Sequence, residues 1–142
     1  MEHVYEDLVC WRITRDPLIF ASRQYNIGGN HSCPDMVALN LRNKEVWIVE
    51  VSTNSVPKDL ACRINDRDEH WIVKLKEMLI QGNSLVDESW RFIVKAFIRR
   101  DVATGFKRML GGTIPPNVEI NIIEDLGFLW SEDWWKWDKQ GS

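Results

Sequence analysis

Long apolar runs are missing from this chain of 142 residues. The longest, as at Val46–Val49, are four residues, against the roughly 20 that a helix needs to cross a bilayer. Met1-Glu2-His3 leads into no apolar leader segment. The expectation is therefore a soluble, cytoplasmic protein with no membrane partner. Cysteine is scarce and odd in number: Cys10, Cys33 and Cys62, with no CxxC. That excludes a disulfide scaffold and a zinc ribbon. His31 and Cys33 could supply two metal ligands, but no second pair follows them. Five prolines and eight glycines are too few for a collagen-like or low-complexity chain. No P-loop, no GxGxxG after a strand, no GxSxG elbow and no HExxH occurs. The chain thus lacks the marks of the common nucleotide, hydrolase and zinc-protease sites.

Apolar residues at 44% and charged residues at 27% are ordinary globular values. The length suits one domain, 1–142. The net charge of -3 is unevenly spread. Residues 111–142 hold six acids against two bases. Ser89–Leu110 carries Arg91, Lys95, Arg99, Arg100, Lys107 and Arg108 against Asp101 alone. A local basic patch on a mildly acidic protein suits a polyanion partner. Of eight tryptophans, four lie between Trp130 and Trp137.

Val4, Leu8 and Trp11 recur at i, i+4, i+7, which predicts a short amphipathic helix over 2–14 with Glu2, Glu6 and Asp7 on its other face. Asp16-Pro17 ends it. Leu18–Ile27 reads as a strand. Asp35–Leu41 and Glu45–Ser52 read as a hairpin about Arg42-Asn43-Lys44. The second of these strands is nearly all apolar, the pattern of a central strand covered on both faces. A helical stripe runs from Leu60 to Ile80 with a break near Asn65–Asp68. Trp90–Arg99 is a strand, Ala103–Leu110 a helix closed by Gly111-Gly112, and Val118–Ile123 a last strand. The order α-β-β-β-α-β-α-β predicts an α/β (α+β) fold, a mixed central sheet flanked by helices.

The hairpin places two carboxylates. Opposed residues of an antiparallel pair share a face. A two-residue turn sets Asp35 opposite Glu50. A four-residue loop sets Asp35 opposite Ser52, with Glu50 on the same face, and a three-residue loop separates the acids. Two carboxylates brought together repel and lose solvation. A cation relieves both, and hard oxygen ligands suit Mg²⁺ or Mn²⁺. Such an ion can activate water and neutralise a phosphoryl transition state. The rival reading makes Asp35 a turn cap and Glu50 a solvated strand end.

Pro34-Asp35, a hairpin, and Glu50-x-Ser52 at the end of an apolar strand together resemble the PD-(D/E)XK nuclease superfamily, the restriction-endonuclease-like fold. The resemblance spans residue 2 to about 100. It implies a metal-dependent nuclease acting on DNA or RNA, with Asp35 and Glu50 as metal ligands. It also implies an acid from the first helix, for which Glu6 is the candidate. The motif lysine is replaced by Ser52, which cannot lend a positive charge to a developing hydroxide. Lys58 after the strand, or Lys74 on the following helical segment, are the candidates for a migrated lysine. The alternative is a catalytically inactive nuclease-like fold that binds nucleic acid or protein, as an inhibitor or adaptor.

Arg91, Lys95 and Arg99 alternate along one strand face with Ile93 and Phe97, and Arg100 follows. This face is a candidate nucleic-acid contact, the cations for phosphate and Phe97 for stacking a base. The rival reading is an amphipathic strand whose long cationic stems snorkel. In the Trp-rich segment 126–142, Trp130, Trp134 and Trp137 stand at i, i+4, i+7. Neighbouring Glu132, Asp133 and Asp138 favour packing on the core, on a protein partner or in a homodimer over binding phosphate.

Overall fold

The five strands lie in the sheet in the order in which they occur in the chain. β1 (Ile19–Arg23), β2 (Met36–Asn40) and β3 (Glu45–Val51) form an antiparallel meander. β4 (Arg91–Ile98) joins parallel to β3, and β5 (Val118–Ile122) parallel to β4. The computed structural model describes residues 2–23, 25, 27, 33–82 and 85–126, the first two of them by backbone alone. The element order predicted from the sequence is the order observed, and the fold is a mixed sheet flanked by helices.

β3 is central because its run from Val46 to Val49 is apolar on both faces. Val46 and Ile48 enter the core on one face of the sheet, and Trp47, Val49 and Val51 enter the core on the other. Parallel neighbours require crossovers. The chain crosses from β3 to β4 through α2 (Lys58–Asn65), a π-helical turn (Asp68–Ile72) and α3 (Val73–Gly82). It crosses from β4 to β5 through a 3₁₀ turn (Arg100–Val102) and α4 (Ala103–Met109). Both crossovers step the same way along the sheet, so the right-handed rule puts their helices on one face. There Leu60, Ile64, Trp71, Leu75 and Phe106 pack with Ile48, Val94 and Ile98. The helical break predicted at Asn65–Asp68 is the junction into the π turn, whose wider winding carries the adjacent Trp71 and Ile72 both into the core. α4 stops where Gly111 and Gly112 take positive φ of 98° and 89°.

The other face is covered by α1 (Glu2–Ile13), and here the predicted facing is corrected. Val4 and Trp11, expected to point inward, are exposed. Val9 and Ile13 are the buried pair, packed with Met36, Trp47, Val49 and Phe97. Glu6, expected on the solvent face, is buried. The helix is apolar on both sides, so periodicity alone could not choose between them. Glu6 tolerates the inside because Arg23 of β1 reaches it at 3.1 Å.

The β2–β3 loop fixes the register. The Asn40 side-chain oxygen accepts the N–H groups of Arg42 at 3.0 Å and Asn43 at 3.2 Å, and Lys44 takes the left-handed conformation, φ 55°. Asn40 then pairs with Glu45 and Met36 with Val49. No helix among the described residues is long and apolar enough to cross a membrane.

Candidate active site

One step beyond the Met36–Val49 pair, this register sets Asp35 opposite Glu50. Side chains alternate across a strand, so Glu50 shares the face of Val46 and Ile48, and Asp35 that of Val37. That is the face covered by α2. The acids lie at the carboxyl end of the parallel β3–β4 pair, where open sheets commonly bind ligands.

The two acids are tied together. Asp35 Oδ2 accepts the Val51 N–H at 2.7 Å. Its own backbone N–H donates to Glu50, and the two carboxyl groups share a hydrogen bond. The Glu50 side chain is 6% exposed. Burial first, then the negative charge of Asp35, then the shared hydrogen bond push its pKa up to about 9. Arg63 of α2 opposes the shift, with Nε 3.9 Å from Glu50 Oε1. That Nε is buried and has no hydrogen-bond partner.

Ser52 lies two residues beyond Glu50 and is buried. Its N–H donates to the Phe97 carbonyl at 2.9 Å, extending the β3–β4 ladder, and its hydroxyl accepts the Asn54 N–H at 3.3 Å. The structure brings Arg63 to Glu50, on a helix whose first residue is Lys58. Five residues of helix turn through about 140° beyond a full turn, so Lys58 and Arg63 leave α2 in different directions. Lys58 is exposed. Lys74 is exposed on α3 and pairs with Glu77 at 3.7 Å. Glu6 belongs to the helix on the opposite face of the sheet and is held by Arg23. It does not join Asp35 and Glu50, and the described residues contain no group of three potential metal-binding side chains.

The basic residues of β4 and of the turn after it are each matched by an acid. Arg91 pairs with Glu45, Lys95 with Glu119, Arg99 with Asp101 and Arg100 with Asp125. Phe97 is buried at 4% exposure under α1, and Ile93 is buried beside it. At that burial the Phe97 ring offers no open face to a stacked base, and only its margin lines the cavity where α1 ends. Trp130, Trp134 and Trp137 lie outside the described residues.

Two carboxylates fit a hard divalent cation. Mg²⁺ in particular is commonly bound through one or two protein carboxylates, keeping waters or substrate phosphates as its other ligands. Arg63 is the site residue that the sequence reading missed. Its signal was a cation at the margin of the apolar stripe Leu60, Ala61, Ile64, on the helix that directly follows the strand bearing Glu50. Comparison with protein-family models, with curated proteins and with solved structures returns no match for this chain.

Proposed function

We propose that the protein is a metal-dependent nuclease of the PD-(D/E)XK type, hydrolysing phosphodiester bonds in DNA or RNA at Asp35 and Glu50. The observation that carries this reading is the meeting of the two carboxyl groups across the β2–β3 register, one of them buried enough to hold its proton at neutral pH. A pair in which burial and like charge both oppose ionisation is relieved by a divalent cation. Bound there, Mg²⁺ or Mn²⁺ would supply an activated water and neutralise charge on the phosphate. Asp35 and Glu50 would hold the ion. Arg63 supports the reading as the positive charge that Ser52 does not provide, with a fork suited to phosphate oxygens. The antiparallel meander followed by a parallel crossover strand supports it too, being the order that the resemblance implies. The free thiols Cys10, Cys33 and Cys62 support a reducing, cytoplasmic location.

The test is calorimetric titration with Mn²⁺ of the wild type, Asp35→Asn and Glu50→Gln, with cleavage assays on single-stranded and duplex DNA and RNA. One ion bound by the wild type and lost in both variants, together with metal-dependent cleavage, is expected. No cleavage of any of these substrates in Mn²⁺ would overturn the nuclease.

A second reading, an inactive fold that binds nucleic acid or protein, is favoured by one observation. At the motif lysine's place the structure has a buried serine whose hydroxyl serves the following turn. Metal binding without cleavage would favour it.

A further inference from the structure

We propose that the sheet face opposite the carboxylate pair carries a second site, for a small oxyanion (a carboxylate or a phosphate monoester) on an apolar body. A cavity of about 320 Å³ opens where α1 ends above β3, β4 and β5. Trp47, Lys95, Phe97 and Asn121 form its floor, Arg12 reaches it from α1, and Leu126 lies at its edge. The strand pairing explains the grouping: Lys95 is paired with Glu119 and Phe97 with Asn121 on the neighbouring strand. Its volume is at the small end of small-molecule sites.

The polar groups on the floor and at the α1 end are mostly donors. The Asn121 amide nitrogen is buried and has no hydrogen-bond partner. A buried donor left unmade costs about 1–3 kcal/mol, a cost that an incoming acceptor removes. Lys95 lies over the floor, with Nζ 3.6 Å from the Trp47 ring centre and 2.7 Å from the Glu119 oxygen that an incoming anion would have to share it with. The acids nearby are already engaged: Glu119 by Lys95, and Asp16 by Arg42 through two bonds of 3.1 and 3.2 Å. Trp47, Phe97 and Leu126, with Ile13 and Ile19, give the walls their apolar character. An anion that is all charge would leave those walls unused, and a neutral apolar molecule would leave the Asn121 donor unsatisfied.

The experiment follows the Asn121 side-chain amide in the ¹⁵N-labelled full chain during titration with inorganic phosphate and, separately, benzoate. The expected result is a saturable shift with at least one probe, weakened at least tenfold in Asn121→Asp, where a carboxylate of the same shape replaces the donor. In Lys95→Gln the Asn121 signal remains, and the affinity read from it is expected to fall by a similar factor, which keeps the test alive if the first variant does not fold. Saturation with phosphate alone assigns a phosphate monoester, with benzoate alone a carboxylate, and with both a site that reads the oxyanion itself. Absence of a saturable shift with either probe, or unchanged affinity in both variants when folded, would overturn the proposal. Glu50→Gln is expected to leave the titration unchanged, so this outcome is independent of the nuclease reading.

Discussion

Arg63 Nε stands 3.9 Å from Glu50 Oε1 and makes no hydrogen bond there. At that distance the Arg63 charge only partly offsets the burial of Glu50 and the charge of Asp35. With its pKa near 9, Glu50 is mostly neutral at pH 7, so the guanidinium faces a carboxylic acid rather than a carboxylate.

The first expectation concerns stability against pH. Glu50 has a pKa of about 9 in the folded chain and an ordinary value of 4.5. Between those values the folded chain holds a proton that the unfolded chain has released. The contribution of Glu50 to stability is therefore fully present below about pH 4.5 and is lost as pH rises towards 9. The loss is at most about 1.4 kcal/mol per pH unit. Urea denaturation across that range should show a decline in the wild type that is absent in Glu50→Gln. Parallel profiles would show that Glu50 ionises normally in the fold.

Arg63→Met is expected to lower metal-dependent cleavage by about 10²–10³-fold, the scale of removing one oriented charge stabiliser. Mn²⁺ affinity should hold or rise, because a cation competing for Glu50 has gone. Arg63→Lys should recover part of the rate but not all, since it keeps the charge and loses the fork. Turnover and Mn²⁺ affinity measured on the same samples separate these effects. A large loss of metal affinity in Arg63→Met would instead make Arg63 a structural support of the acids.

Glu6 and Arg23 should matter to folding rather than to metal. Arg23→Met leaves a buried carboxylate short of a cation. Because Arg23 is 38% exposed, the expected cost is well below that of breaking a fully buried pair, about 1–2 kcal/mol. Thermal unfolding would read it. Glu6→Gln should leave Mn²⁺ affinity unchanged, and a tenfold weakening would return Glu6 to the metal shell.

Ser52→Lys tests the motif position directly. The side chain is buried, so an ammonium there is expected to lower stability by about 1–3 kcal/mol. If the position retains the geometry that the resemblance implies, cleavage should rise despite that cost. Melting temperature and initial rate together decide it; a stability loss without a gain in rate would place the working cation elsewhere.

The facing of Asp35 and Glu50 was legible in the sequence because a hairpin has few registers and a face alternates every residue. Which register holds was not, since Asn40, the residue whose side chain organises the loop, is an ordinary polar residue at a strand end. The central place of β3 was legible from its unbroken apolar run. The orientation of α1 was not: Val4, Leu8, Trp11 and Val9, Ile13 are both valid apolar stripes, and only docking on Met36 and Val49 selects the second. Nor was the neutralisation of Arg91, Lys95, Arg99 and Arg100, because two of their partners, Glu119 and Asp125, lie on or beyond a strand that pairs with β4 only in three dimensions. Arg63 shares that difficulty, since a helical cation acquires meaning from what stands opposite it.

The strand order has a consequence for how the chain can assemble. Because β1 to β5 lie side by side in chain order, every strand after the first adds to an edge formed by residues already synthesised. No strand needs to be inserted between two others, and no edge must wait for a segment made later. The Asp35–Glu50 pair is complete once β3 has emerged, before the basic strand or the oxyanion cavity exists. A chain growing from its N-terminus can thus close the acidic site on the antiparallel meander alone and then bring Arg63 to it as α2 docks.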